Sequence, residues 1–146
     1  MTDESYKLIY NKSLDIISRR EHSVSELLNK LSLKFDNDQQ IPIVIEALID
    51  KNLLNDKRFT SLYIDYRSKK GFGPKKINHE LILKGVSQSL ISNLIYDKYD
   101  WNLLAKKAFK KKFPNGKSDD YKTSIKQKNF LQNKGFGLKE IEFVFS

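Results

Sequence analysis

A spacing of fifty residues recurs along this chain and restricts the fold to a tandem array of similar units. Leu31, Leu81 and Leu131 align, as do Lys34, Lys84 and Lys134. Ile41, Ile91 and Ile141 follow, then Val44, Leu94 and Val144, then Ile45, Ile95 and Phe145. Upstream, Ile9, Phe59 and Phe109 occupy one equivalent apolar position, and Ser23, Gly73 and Thr123 fall where the second helix of each unit is expected to begin. The chain divides into three copies, residues 1–54, 55–99 and 100–146, each read as three short helices.

The local patterns support helix throughout. In the first copy Tyr6, Ile9, Tyr10, Ile16 and Ile17 form an apolar stripe at helical spacing. Ser23-Val24-Ser25-Glu26 predicts a capping box opening a helix that buries Val24, Leu27, Leu28 and Leu31. A third helix over about 38–51 carries Ile41, Val44, Ile45, Leu48 and Ile49, with Pro42 tolerated in its first turn. The β-branched run Ile41–Ile45 competes as a strand, but the equivalent segments of the other copies show no alternation. In the second copy Phe59, Leu62, Tyr63 and Tyr66 mark the first helix, and Gly71 and Gly73-Pro74 mark a stop and a restart. Ile77 and Leu81 face inward, Gly85 ends that helix, and Ser87 caps one with Ile91, Leu94 and Ile95. In the third copy Asp100 caps a helix with Trp101, Leu104, Ala105, Ala108 and Phe109 on one face. Pro114-Asn115-Gly116 breaks it, Ser118 or Asp119 starts the next, and Gly135 stops that one before Leu138, Ile141, Val144 and Phe145. The fold class is all-α. A unit of about fifty residues holds little core alone, so the copies are expected to stack into an elongated, curved array.

Charge narrows the partners. The chain has a net charge of +9. Residues 1–54 hold seven Lys/Arg against nine Asp/Glu, residues 55–99 nine against four, and residues 100–146 eleven against five. A polyanion-facing surface is expected on the last two thirds. Two clusters stand out: Arg67, Lys69, Lys70, Lys75 and Lys76 around the Gly71–Gly73 turn, and Lys106, Lys107, Lys110, Lys111 and Lys112 opposite the apolar face of one helix. No acid interrupts the second, and Lys117, Lys122, Lys126 and Lys128 extend it. Phe72, between the two glycines, is read as packing against a neighbouring helix rather than stacking on a base. Lys34, Lys84 and Lys134 complement helix C-termini, and Glu26 and Glu80 are read as caps or intramolecular ion-pair partners.

Several classes of chemistry find no support. The absence of cysteine removes disulfides and thiolate metal sites and fits a reducing cytosol. His22 and His79 have no acid framework around them for a metal, and Gly71-Phe72-Gly73 is not followed by the Gly-Lys-Ser/Thr of a phosphate loop. No cofactor, metal or catalytic residue is expected, so the chain is not read as an enzyme. No apolar run is long enough to span a bilayer, and Met1-Thr2-Asp3-Glu4 is acidic where a secretory signal is basic. A cytoplasmic monomer without a membrane partner is expected.

The motifs also carry a family resemblance. Arg19-Arg20-Glu21-His22-Ser23 through Leu31 resembles the R-x-x-S-x-x-E-L-x-x-K-L signature of the RecX family, and Leu54-Asn55-Asp56-Lys57-Arg58-Phe59 resembles its L-D-D-x-R-F. Arg67 through Val86 is similar to the family's R-x-x-K-G-x-G-P-x-x-I-x-x-E-L-x-x-K-G-I, and Phe130-Leu131-Gln132-Asn133-Lys134-Gly135-Phe136 to its closing F-L-x-x-R-G-F/Y. Leu33-Lys34-Phe35 lacks a glycine common in the family, and Asn55 stands where aspartate is usual; both departures are read as structural. The extra N-terminal region of longer members is absent, so whatever it adds is expected to be missing. The resemblance implies a protein that binds the RecA–single-stranded DNA filament in its groove, touching more than one protomer. It implies limits on strand exchange, ATP turnover and co-protease action in the SOS response, and no enzymatic activity. The competing reading is a helix-turn-helix-like DNA-binding protein, since three-helix units with a Gly-containing turn imitate that motif.

Overall fold

The computed structural model describes residues 2–146, with side chains from residue 4. Met1 and the side chains of Thr2 and Asp3, part of the acidic N-terminus, lie outside the described residues. Among the described residues there are nine α-helices and no strand: α1 (Thr2–Arg19), α2 (Val24–Lys34), α3 (Ile41–Asp50), α4 (Asp56–Lys69), α5 (Pro74–Leu83), α6 (Gln88–Ile95), α7 (Trp101–Lys112), α8 (Tyr121–Lys134) and α9 (Leu138–Phe145). The all-α, three-helix-repeat reading holds, and Ile41–Ile45 begins α3 rather than a strand. By contacts the chain gathers into two compact units, residues 1–60 with 82–87 and residues 61–81 with 88–146.

In the first unit α1, α2 and α3 pack on one another around Ile9, Leu27, Leu31, Ile41, Val44, Ile45, Leu48 and Leu54. The expected capping box forms. The Ser23 hydroxyl accepts from the Glu26 amide at 3.0 Å, and the Ser23 amide donates to Glu26 Oε1 at 3.1 Å. That hydroxyl also donates to the Lys84 carbonyl at 2.6 Å, and the Val24 amide donates to Asp56 at 2.7 Å. Burial opposes the charged form of Glu26, yet the hydrogen bonds from Arg20 and Ser23 and the charges of Arg20 and Lys84 outweigh it and hold the carboxyl below its ordinary value. Both departures from the family pattern are structural. Without the glycine, α2 ends through Asp36 and Asn37 in left-handed conformations (φ 51° and 56°), and the Asn55 side chain caps α4 by accepting from the Arg58 amide at 3.0 Å. Leu28 and Ile49 depart from expectation: they sit on the shoulders of their apolar stripes and are exposed.

The second unit is built on α7, which packs against α8 and α9, with Ile64, Ile77, Leu81, Ile91, Ile95, Ala105, Phe109, Leu131 and Phe136 among its buried side chains. Asp100 caps α7 as expected. Trp101 is buried; its Nε1–H donates to the Ile95 carbonyl at 2.8 Å, and Tyr99 stacks on it at 5.3 Å. Two expectations need correction. The start of α8 is capped by Asp120, not Ser118 or Asp119, so Thr123 lies inside the first turn. Leu62 and Tyr66 are 51% and 55% exposed, because the inner face of α4 carries Thr60, Ile64 and Ser68 at four-residue spacing and positions two residues away turn outward. Buried Gln127 ties down the Pro114–Gly116 break: its side-chain amide donates to the Gly116 carbonyl and accepts from the Ser118 amide, both at 3.1 Å.

Candidate nucleic-acid interface

The site is organised by a backbone contact between the turn before α5 and the end of α8. The Gly73 amide donates to the Lys134 carbonyl at 2.7 Å, and the Lys75 amide donates to the Gly135 carbonyl at 2.9 Å. Carbonyls left open at the end of α8 are thereby satisfied. Only glycine fits on either side. A Cβ at Gly73 would stand 2.5 Å from the Gly135 carbonyl carbon, and one at Gly135 would stand 2.4 Å from Lys76 Cβ. Gly135 also adopts φ +102°, a left-handed C-cap.

This contact sets Phe72 in the midst of cations. The Arg67 guanidinium lies 3.8 Å from the ring centroid, Lys134 Nζ 4.4 Å and Lys76 Nζ 5.1 Å. Arg67 is held in place by Glu80, with Nε donating to Oε1 at 3.0 Å and a second guanidinium nitrogen to Oε2 at 2.8 Å; Tyr63 donates to the same carboxylate at 2.8 Å. Burial pushes the Glu80 carboxyl up, but the hydrogen bonds from Arg67 and Tyr63 and the nearby positive charge leave it below its ordinary value. The charge of Arg67 is therefore compensated within the fold.

Beside this cluster the side of α7 and the face of α8 enclose a pocket of about 340 Å³ lined by Lys70, Gly71, Ala108, Lys111, Lys112, Phe130 and Lys134. Four lysines line it without an acidic residue, with Lys70 Nζ 4.8 Å from the Tyr66 ring. Among the described residues no acid lies within ion-pair distance of any of the four. Phe130 forms its aromatic wall, and Lys112 and Lys134 approach that ring at 5.9 and 5.7 Å. Such a site suits an anion, and an aromatic wall adds affinity for a planar group.

The structure thus joins parts of the two lysine clusters and separates others. Lys70 of the first and Lys111 and Lys112 of the second line one pocket. Arg67 is paired with Glu80 and Lys76 packs on Phe72, while Lys69, Lys75, Lys106, Lys107 and Lys110 are exposed and stand outside the pocket lining. Sequence reasoning overlooked Phe130, and took Lys134 for a helix-end cation only. The signal was available: the two are four apart on α8 and so share one face.

The remaining polar groups have local roles. His22 is buried, with Nδ1 3.0 Å from the Arg20 carbonyl and Nε2 2.8 Å from Lys30 Nζ, and burial lowers its pKa. Among the described residues no cluster of His, Asp and Glu could hold a metal ion, and no helix is long and apolar enough to cross a membrane.

Comparison with known proteins agrees across nearly the whole chain. A family model described as RecX, second three-helix domain, matches residues 55–94. The regulatory protein RecX of Vibrio campbellii is 34% identical over 92% of this chain and 87% of its own length. That of Haemophilus influenzae is 34% identical over 94% and 91%. Among solved structures, RecX from Lactobacillus salivarius superposes with a TM-score of 0.82 at 23% identity, covering 98% of this chain and 96% of its own.

Proposed function

The chain belongs to the RecX family of regulatory proteins, and from that premise we propose that it regulates the RecA recombinase by binding the RecA–single-stranded DNA filament. In this reading it is a cytoplasmic, non-catalytic monomer that occupies the filament groove and lowers strand exchange, ATP turnover and co-protease action. The observation in this chain that carries the reading is the pocket of four lysines without an acid, a surface suited to DNA phosphate or to acidic protein. The exposed lysines of both clusters, Lys69, Lys75, Lys106, Lys107 and Lys110, extend that surface. Arg67 and Lys76 pack on Phe72, outside the pocket lining. The helix-turn-helix alternative has less to stand on: α3 and α6, the third helices of their repeats, contain no Lys or Arg to read base edges.

Steady-state ATP hydrolysis by the cognate RecA on single-stranded DNA, titrated with this protein, tests the proposal. Inhibition below one copy per RecA protomer is expected, together with its loss in a Lys70→Glu, Lys111→Glu, Lys112→Glu variant that melts within a few degrees of the parent. Absence of inhibition at stoichiometric excess, with tight binding to particular duplex sequences instead, would overturn it.

A further inference from the structure

The pocket holds more information than its charge. Building on the regulatory reading above, we propose that it is a subsite for one nucleotide of a single strand, with the base lying on Phe130 and the adjoining phosphate held by Lys70, Lys111, Lys112 and Lys134. Its volume of about 340 Å³ lies at the small end of ligand sites, the scale of one residue of a polymer. An acidic protein surface needs cations alone, and the phosphates of a duplex are likewise met by cations alone. Neither has a use for an aromatic wall at the base of the cationic cluster. A single strand has, because its unstacked bases can leave the backbone and lie on a ring while the phosphates stay among ammonium groups.

Phe130 is built for that use. It is half-buried. It meets Phe113 edge-on, with centroids 5.4 Å apart and planes at 86°, so at least one of its faces is left unstacked. Phe113 is held in turn by Phe109, at 5.1 Å, and Phe109 by Phe145, at 5.3 Å, so the ring rests on a packed aromatic row. A platform already fixed in place loses little freedom when a base settles on it. The lysine on the same face of α8, Lys134, is anchored through its own carbonyl by Gly73, which sets one of the phosphate-binding groups beside the platform.

The experiment compares two fluorescent oligonucleotides of one length, oligothymidine and an abasic strand with the same phosphates and no bases. Binding to the full chain is followed by anisotropy. The wild type is expected to favour oligothymidine by about tenfold or more, the effect of one stacked base. Phe130→Leu is expected to abolish that preference while keeping abasic binding, Phe130→Tyr to retain it, and Lys111→Gln to weaken both strands equally. The proposal fails if the wild type shows no preference, if Phe130→Leu weakens both strands alike, or if no single strand binds at all. Melting curves accompany each variant, and Lys111→Gln, at an exposed position, keeps the test open should Phe130→Leu unfold. The two readings separate cleanly. Inhibition of RecA without base preference removes the subsite and leaves the regulator, whereas base preference without any effect on RecA removes the regulator and leaves the subsite.

Discussion

Arg67 stands in the densest run of cations in the chain, and its guanidinium is spent inside the fold. It makes two hydrogen bonds to Glu80, and both side chains are only 19% exposed. Its flat face covers Phe72. Replacing Arg67 or Glu80 therefore alters the packing on Phe72 rather than the residues that line the pocket. Glu80→Gln is expected to cost about 1–3 kcal/mol at neutral pH, the scale of a charge-assisted hydrogen bond. Because the folded protein holds the Glu80 carboxyl below its ordinary 4.5, this contribution is complete above that pH and disappears as the carboxylate takes up a proton in acid. Urea denaturation at pH 7 and pH 3 measures it: the gap between the parent and Glu80→Gln narrows at the lower pH. A gap that stays constant would show that the ion pair contributes nothing.

At the scale of elements, the junction of the turn before α5 with the end of α8 decides whether the site exists. Gly73→Ala pushes a methyl into backbone, and Gly135→Ala adds a strained left-handed residue to a similar clash. Each is expected to destabilise by about 1–3 kcal/mol and to expose the Gly73 and Lys75 amides to hydrogen exchange. Slow exchange at those amides in the variants would show that the junction tolerates the methyl. The same junction marks the limit of what could be read from sequence. Helices, the Ser23 box, the Asp100 cap and the stop at Gly135 follow from neighbours within four residues, and they were legible. The inner face of α4 was not, because Thr60 and Ser68 look polar and Leu62 and Tyr66 look like core until the packing partners are known. Gly73 reads as a helix start, and Lys134 as a helix-end cation, until a hydrogen bond spanning sixty-one residues brings them together.

For the whole molecule the charge is divided more sharply than the three repeats suggested. The first unit holds ten Lys/Arg against ten Asp/Glu, and the second seventeen against eight, so the entire net +9 belongs to the second. If the pocket lysines neutralise the phosphate of the bound nucleotide and the exposed lysines around them about three more, the logarithm of the binding constant should fall with the logarithm of salt at a slope of about −3. Lys111→Gln should make that slope shallower by no more than about 0.7. Titrations from 50 to 300 mM salt would reveal it, and a slope near zero would place the contact on uncharged surface. The buried indole of Trp101 adds one practical consequence. It is the only tryptophan in the chain, it starts the helix whose far end carries Lys111, and at a helical rise those two residues stand about 15 Å apart. Its fluorescence is thus a built-in gauge of whether the basic unit is folded, in a position where an occupant of the pocket need not quench it. Emission that stays constant while the anisotropy of the labelled strand no longer rises would identify a variant that has lost its ligand, and an emission shift would identify one that has lost its shape.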